Sequence, residues 1–110
     1  GTVDVVGVVP GRAEGVTGFK RVANSVEAHR RQANAHAWSS AIVSAASLAV
    51  CFSSPACKLF EFKPLRNPMQ HELVTVPIEH VDGWVYPPDE RPGLGIDVQE
   101  DVVDRYRQFE

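Results

Sequence analysis

Apolar positions in the first half of the chain change their period several times, and each change predicts a secondary-structure element. Residues 3–9 are almost continuously apolar and β-branched, which is typical of a strand covered on both faces. From Val16 to Val26 apolar residues recur every three or four positions, which predicts an amphipathic helix ending near Arg31. The pattern then predicts a brief strand at 32–36, a weakly amphipathic helix at 38–52 and a third strand at 58–62.

A strand, helix, strand, helix, strand order with short connections is typical of an α/β fold with parallel strands. Three parallel strands leave two open edges and one uncovered apolar face. A closed barrel solves both problems, but it takes eight strands and about 250 residues. Because this chain has 110 residues, we expect the α/β unit to be one portion of such a barrel.

The second half of the chain has a different character. Residues 63–70 hold two prolines, and residues 73–78 alternate only weakly. The Asp82-Gly83 pair predicts a tight hairpin across residues 80–86, and residues 97–108 predict a short closing helix. We therefore divide the chain into a barrel portion at 1–62 and a tail at 63–110.

Charge and composition exclude several classes of protein. Eleven basic residues against fourteen acidic ones give a net charge of −3, so no basic face predicts a nucleic-acid partner. The longest run of low charge, 33–57, is interrupted by Asn34, His36 and several serines, so it does not predict a membrane span. The first residues lack the basic and apolar segments of a signal peptide. These features predict a soluble, cytoplasmic protein.

Two cysteines flank a short loop. Cys51 and Cys57 are six positions apart around Ser-Ser-Pro-Ala. We interpret them as two thiols in a reducing compartment, although a loop this tight could close a disulfide where the geometry allows it. Neither cysteine has a histidine at metal-ligand spacing, which argues against zinc.

Two residues stand where parallel α/β proteins carry their reactive groups, at the carboxyl ends of strands. His36 ends the second predicted strand, and Glu61 lies near the end of the third. A histidine serves as a base near neutral pH, and a carboxylic acid kept protonated by apolar surroundings can donate to a developing oxyanion. The pair therefore suits removal of a proton beside a carboxylate, while a structural histidine and a satisfied core glutamate are the alternative. Trp38 is a candidate substrate-binding residue that would line the wall of the site; the alternative is that it only packs against its neighbours.

Four motifs in order resemble the C-terminal part of the enolase superfamily, in its mandelate racemase branch. They lie at residues 11–17, 36–42, 59–61 and 91–98, and together they extend over nearly the whole chain. The resemblance implies strands six to eight of a modified (β/α)7β barrel of the TIM type. It also implies that the tail packs on a capping domain.

The resemblance further implies a Mg²⁺-dependent acid-sugar dehydratase. His36 would be the base on the seventh strand, and Glu61 the acid on the eighth that hydrogen-bonds the substrate carboxylate. Val9 stands where the family has an aspartate that supports the histidine. The three carboxylate ligands of Mg²⁺ would lie on strands absent from these 110 residues, so we expect no metal ligand here and no activity from this segment alone.

Other readings of the same resemblance remain open. A racemase or cycloisomerase of the same superfamily is one, and a catalytically inactive fragment or binding module is another. The expected partners are a small acid-sugar substrate, the remainder of the barrel and the capping domain. We also expect a homo-oligomer at full length and no contact with nucleic acid or membrane.

Overall fold

Two parallel strands form the centre of the structure, a computed structural model that describes residues 2–63, 65–88 and 91–108. Strand β1 (Val5–Val8) pairs with β2 (Gln32–Ala35), in a register that sets Val8 beside Ala35. A 3₁₀ turn (Pro10–Arg12) and helix α1 (Gly15–Ala28) connect the two strands. The predicted parallel strand–helix–strand unit is confirmed, with the first strand shorter than predicted at both ends.

Helices cover one face of this strand pair and leave the other open. Ala33 and Ala35 of β2 are buried towards α1 and α2 (Ala41–Phe52), whereas Asn34 and His36 alternate to the opposite side. On β1, Val5 is half exposed. The core between strands and helices consists of Val8, Phe19, Ala23, Val26, Ala33, Ala35, Val50 and Ala56.

The third predicted strand, 58–62, is not a regular strand, and this part of the prediction was wrong. The stretch 57–62, named the third segment, meets β2 through two isolated parallel bridges, Ala33 to Cys57 and His36 to Glu61. Between the bridges, the third segment therefore has one residue more than β2, as in a β-bulge. Cys57 and Phe60 both pack against the core although they are three positions apart. That spacing breaks the two-residue period of a strand and marks the extra residue.

Helix α2 begins later than the apolar pattern predicts. The prediction included Trp38, but the helix starts at Ala41 because Ser40 caps it, with the Ser40 hydroxyl accepting from the Val43 N–H at 3.3 Å. The weak amphipathicity predicted a well-covered helix, and six of its twelve residues are buried. Ser47, fully buried, donates to the Val43 carbonyl at 2.6 Å, which satisfies its hydroxyl.

The tail contains a hairpin and two short helices. Strands β3 (His80–Val81) and β4 (Trp84–Val85) confirm the predicted hairpin, and Asp82 and Gly83 both have positive φ, as its turn requires. The closing helix α4 (Glu100–Tyr106) is confirmed in shortened form, and α3 (Pro68–His71) was not predicted. In the part of the chain that the structure describes, no helix is long and apolar enough to cross a membrane.

Candidate functional site

His36 and Glu61, the two predicted site residues, contact each other directly. His36 Nδ1 lies 2.8 Å from Glu61 Oε1, a hydrogen-bonding distance. A carboxylate oxygen accepts, so Nδ1 carries the proton of this bond and Nε2 is the nitrogen left to act as a base. The two side chains are partly open to solvent, at 49% and 34% of their areas. The expected apolar surroundings of Glu61 are therefore not found, because its side chain is one-third exposed and is bonded to an imidazole. The geometry pairs a candidate base with a carboxylate at the surface.

The backbone explains why these two side chains meet. His36 follows β2 directly, and its N–H donates to the Val8 carbonyl at 2.7 Å, which extends the pairing with β1 by one residue. Glu61 lies abreast of His36 because of the extra residue between the two bridges. In an uninterrupted register Phe60 would take that place, and Glu61 would lie one position further on. The bulge thus aims the carboxylate at the imidazole.

Trp38, the predicted substrate-binding residue, stacks on His36. The centroids of the two rings are 5.7 Å apart and their planes differ by 16°. The Trp38 carbonyl accepts from Lys63 Nζ at 3.3 Å, which ties the loop after β2 to the end of the third segment. Trp38 is 44% exposed, so much of the indole remains available for a further contact.

Gln70 supports the same loop from the tail and was not foreseen in the sequence. Its Nε2 lies 3.0 Å from the Ser44 hydroxyl, which in turn donates to the Ala37 carbonyl at 3.2 Å. The signal that could have located Gln70 is the Asn67-Pro68 pair, because Asn67 Oδ1 accepts from the Gln70 N–H at 3.2 Å and caps α3. The residue after His36 is thus fixed by α2 and α3 together.

A groove lies next to the candidate site but does not include it. It has a volume of about 500 Å³ and lies between the end of α2, the third segment and the hairpin. Leu48, Phe60 and Trp84 are among its lining residues, and neither His36 nor Glu61 lines it. The catalytic candidates therefore stand on an open surface rather than in an enclosed pocket of this chain.

The described residues do not form a metal site. Across 2–63, 65–88 and 91–108, no group of three or more histidine, cysteine, aspartate or glutamate side chains is placed to hold an ion. Glu61, the carboxylate at the candidate site, is already bonded to His36.

The two cysteines form a close pair of free thiols. Cys51 lies in the last turn of α2, and Cys57 is the first residue of the third segment. Both side chains line the groove. Burial raises the pKa of Cys51 to about 12, and the charge of Cys57 and a hydrogen bond with it add to the shift. At neutral pH Cys51 is therefore a protonated thiol and a poor nucleophile.

Alkylation of Cys51 by iodoacetamide is expected to be slow at pH 8.5 and to accelerate as the pH rises towards 12. Its thiolate fraction is lower than that of an ordinary cysteine by about 10²–10³. Cys57→Ser should shift this rise to lower pH, because two of the three causes of the raised pKa involve Cys57. Quantitative mass spectrometry of the peptides gives the rates. Alkylation of Cys51 at the rate of an exposed cysteine would contradict the prediction.

The same shift has a consequence for stability. The pKa of Cys51 in the folded chain lies above its unfolded value of about 9.0. The contribution of the protonated thiol to the free energy of unfolding is therefore complete below pH 9 and is lost as the pH rises towards 12.

Comparison with known proteins finds a family model and several solved structures that this chain resembles. The family model "Enolase C-terminal domain-like" matches residues 1–102. A solved protein from Bordetella bronchiseptica RB50, assigned as a mandelate racemase, is 27% identical with a TM-score of 0.90 over 98% of this chain. One from Labrenzia alexandrii, assigned to the mandelate racemase and muconate lactonizing enzymes, is 28% identical with a TM-score of 0.83 over 96% of this chain.

A third solved structure carries ligands of interest. It is a protein from Burkholderia xenovorans assigned as an L-alanine-DL-glutamate epimerase and bound to magnesium and fumarate, 25% identical with a TM-score of 0.82 over 94% of this chain. This chain spans only 25–28% of the length of these three proteins. No curated protein matches the sequence.

Proposed function

The chain belongs to the enolase C-terminal domain-like family, and on that premise we propose that it is the proton-transfer segment of an enzyme acting on carboxylic acids. The observation that carries the proposal is the 2.8 Å bond between His36 Nδ1 and Glu61 Oε1 on an open surface. The enzyme would remove the proton α to the substrate carboxylate, and an acid sugar is the proposed substrate.

His36 would take the proton in this reaction. Its free nitrogen, Nε2, accepts the α-proton and becomes part of an imidazolium, while the C–H electron pair moves into the carboxylate to form an enediolate. Glu61 Oε1 stays bonded to Nδ1–H, and Oε2, when protonated, donates to a carboxylate oxygen of the substrate. The exposed part of Trp38 would pack against the substrate.

Dehydration then follows from the same two groups. The enediolate electrons expel the β-hydroxyl as the His36 imidazolium returns its proton to that oxygen, so one water leaves and His36 is neutral again. The resulting enol converts to a 2-keto acid. Each proton taken up by His36 is thus used in the same turnover, and no external oxidant or reductant is needed.

A second candidate is epimerisation or racemisation on the same scaffold. The Burkholderia xenovorans protein assigned as an epimerase has a TM-score of 0.82, against 0.83 and 0.90 for the two other neighbours. In this reaction the enediolate is reprotonated on its other face instead of losing water. That step needs a second acid, which would come from chain segments outside residues 1–110.

The open surface around His36 needs other parts of the enzyme to enclose the substrate. We propose that further barrel strands and a capping domain cover the bare face of β1 and β2 and enclose the substrate. A divalent metal is expected because the Burkholderia xenovorans neighbour binds magnesium, and we propose Mg²⁺. Its ligands would come from outside the described residues, which do not form a metal site.

The test is proton exchange by the full-length protein in D₂O with Mg²⁺ and a panel of acid sugars and amino acids, followed by ¹H NMR. Loss of the α-proton signal with formation of a 2-keto acid and water supports the dehydratase. Deuterium at the α-carbon with no loss of water supports the epimerase. Absence of exchange with every acid sugar and with amino-acid substrates would refute both, and would leave a binding module as the explanation.

A further inference from the structure

We propose that Glu61 and Trp38 are positioning residues that hold the His36 ring as its Nδ1–H tautomer, so that Nε2 alone is free to act as the base. This inference rests on the proposed function, since it concerns how the proposed base is prepared. It adds to Glu61 a task separate from contact with the substrate, and it gives Trp38 a task towards His36.

The first support comes from the edge of the ring. Among the described residues, the hydrogen bond of the His36 side chain is the one from Nδ1 to Glu61 Oε1, at 2.8 Å. A neutral imidazole has one donor and one acceptor nitrogen, so a bond that requires Nδ1 to donate leaves Nε2 unprotonated. Without an acceptor at Nδ1 the proton could occupy either nitrogen, and part of the population would lack a base at Nε2.

The second support comes from the face of the ring. Trp38 lies almost parallel to the imidazole, with a 16° angle between planes and 5.7 Å between centroids. A hydrogen bond at one atom still lets a ring tilt, whereas a stacked neighbour restricts that tilt. Its electron-rich face also favours the imidazolium that forms when the α-proton is taken up. The edge and the face of His36 are therefore both held.

Glu61 is the residue near His36 that supplies a carboxylate acceptor for its Nδ1–H. From the β1 side, the next residue in register is Val9, because Val8 pairs with Ala35 and its carbonyl accepts from the His36 N–H. Valine has no acceptor in its side chain, so β1 supplies nothing to Nδ1. Within the described part of the chain, the carboxylate in contact with the His36 ring is that of Glu61, with Nδ1 and Oε1 2.8 Å apart.

Imidazole ¹⁵N chemical shifts of the full-length protein test the tautomer without any substrate or metal. The wild-type protein should show Nδ1 protonated and Nε2 unprotonated. Glu61→Gln should keep this pattern because the amide oxygen still accepts, whereas Glu61→Leu should give a mixture of tautomers. Glu27→Leu, an exposed glutamate on α1, is the matched control and should change nothing.

A double variant separates positioning from substrate contact, and two variants of Trp38 test the stacking. Adding Val9→Asp to Glu61→Leu places a carboxylate beside His36 from β1 and should restore the tautomer. In the exchange assay Glu61→Leu should lower kcat by about 10²–10⁴-fold and raise KM. Adding Val9→Asp should recover the part of kcat that is lost with the tautomer, whereas KM should stay raised because the contact with the substrate is not restored. Trp38→Ala should lower kcat about two- to tenfold, and Trp38→Phe should recover it.

A Glu61→Leu protein that keeps the Nδ1–H tautomer would overturn the proposal. So would a Trp38→Phe protein with kcat no better than that of Trp38→Ala. If instead the tautomer responds as expected but the wild-type protein exchanges no α-proton, the positioning of His36 stands and the proposed reaction fails. The spectrum and the exchange assay thus report the two failures separately.

Discussion

Asparagine at position 36 is expected to slow exchange of the substrate α-proton by about 10²–10⁴-fold, the usual contribution of a general base. The asparagine amide can still donate to Glu61 Oε1 and preserve the contact seen at 2.8 Å, but it has no nitrogen that accepts a proton. Binding of substrate and metal should change little. Deuterium uptake by the full-length protein, followed by ¹H NMR, measures the rate.

The control for this variant is His29→Asn. His29 is exposed at the end of α1, where its Nδ1 contacts the Ser25 carbonyl, and it contributes nothing to the proposed site. It should exchange at the wild-type rate, and thermal melting should show that both variants are folded. Exchange by His36→Asn within threefold of wild type would remove His36 from the mechanism.

Replacing Phe19 with alanine should lower the free energy of unfolding by about 3–5 kcal/mol, the range typical of such truncations in a core. Phe19 is fully buried between the strand pair and α2, where it shares the core with Val8 and Val50. Because domains are stable by only about 5–15 kcal/mol, this loss removes a large part of the margin. Urea denaturation followed by circular dichroism measures it.

Val16 provides the comparison on the same helix. It is 47% exposed, so Val16→Ala leaves no cavity and should change stability by less than about 1 kcal/mol. Equal losses from Val16→Ala and Phe19→Ala would contradict the burial of Phe19 as the source of stability.

The α/β class was predictable because it depends on period and order. The spacing of Phe19, Ala23 and Val26 predicted α1, and the buried face of that helix agrees with it. The run at 3–9 predicted β1, but coverage of that strand on both faces was wrong, because only Val8 of β1 is buried and Val5 is half exposed. The Asp82-Gly83 turn predicted the hairpin, because few sequences accept positive φ at two successive residues. The start of α2 was misplaced because the apolar pattern already begins at Trp38, whereas the helix starts after the residue whose hydroxyl reaches the Val43 N–H, which is Ser40.

The candidate site was predictable in its members but not in its contacts. His36 and Glu61 could be chosen because both stand at strand ends, where parallel α/β proteins place their reactive groups. Their contact depends on the extra residue in the third segment. A regular strand over 58–62, as predicted, contains no such extra residue. Gln70 was missed because its role depends on the approach of α3 to Ser44, far away in the sequence.

Local chemistry along the chain was sufficient for the order of β1, α1, β2 and α2, for the hairpin, for the parallel α/β class, for the family and for the choice of the acid–base candidates. Those properties follow from the spacing of neighbouring residues and from short motifs. The pairing of the His36 ring with Glu61, its stacking on Trp38 and the coupling of the two thiols required the folded chain. Each of these depends on distances between side chains from different elements, and a single residue of register is enough to change them.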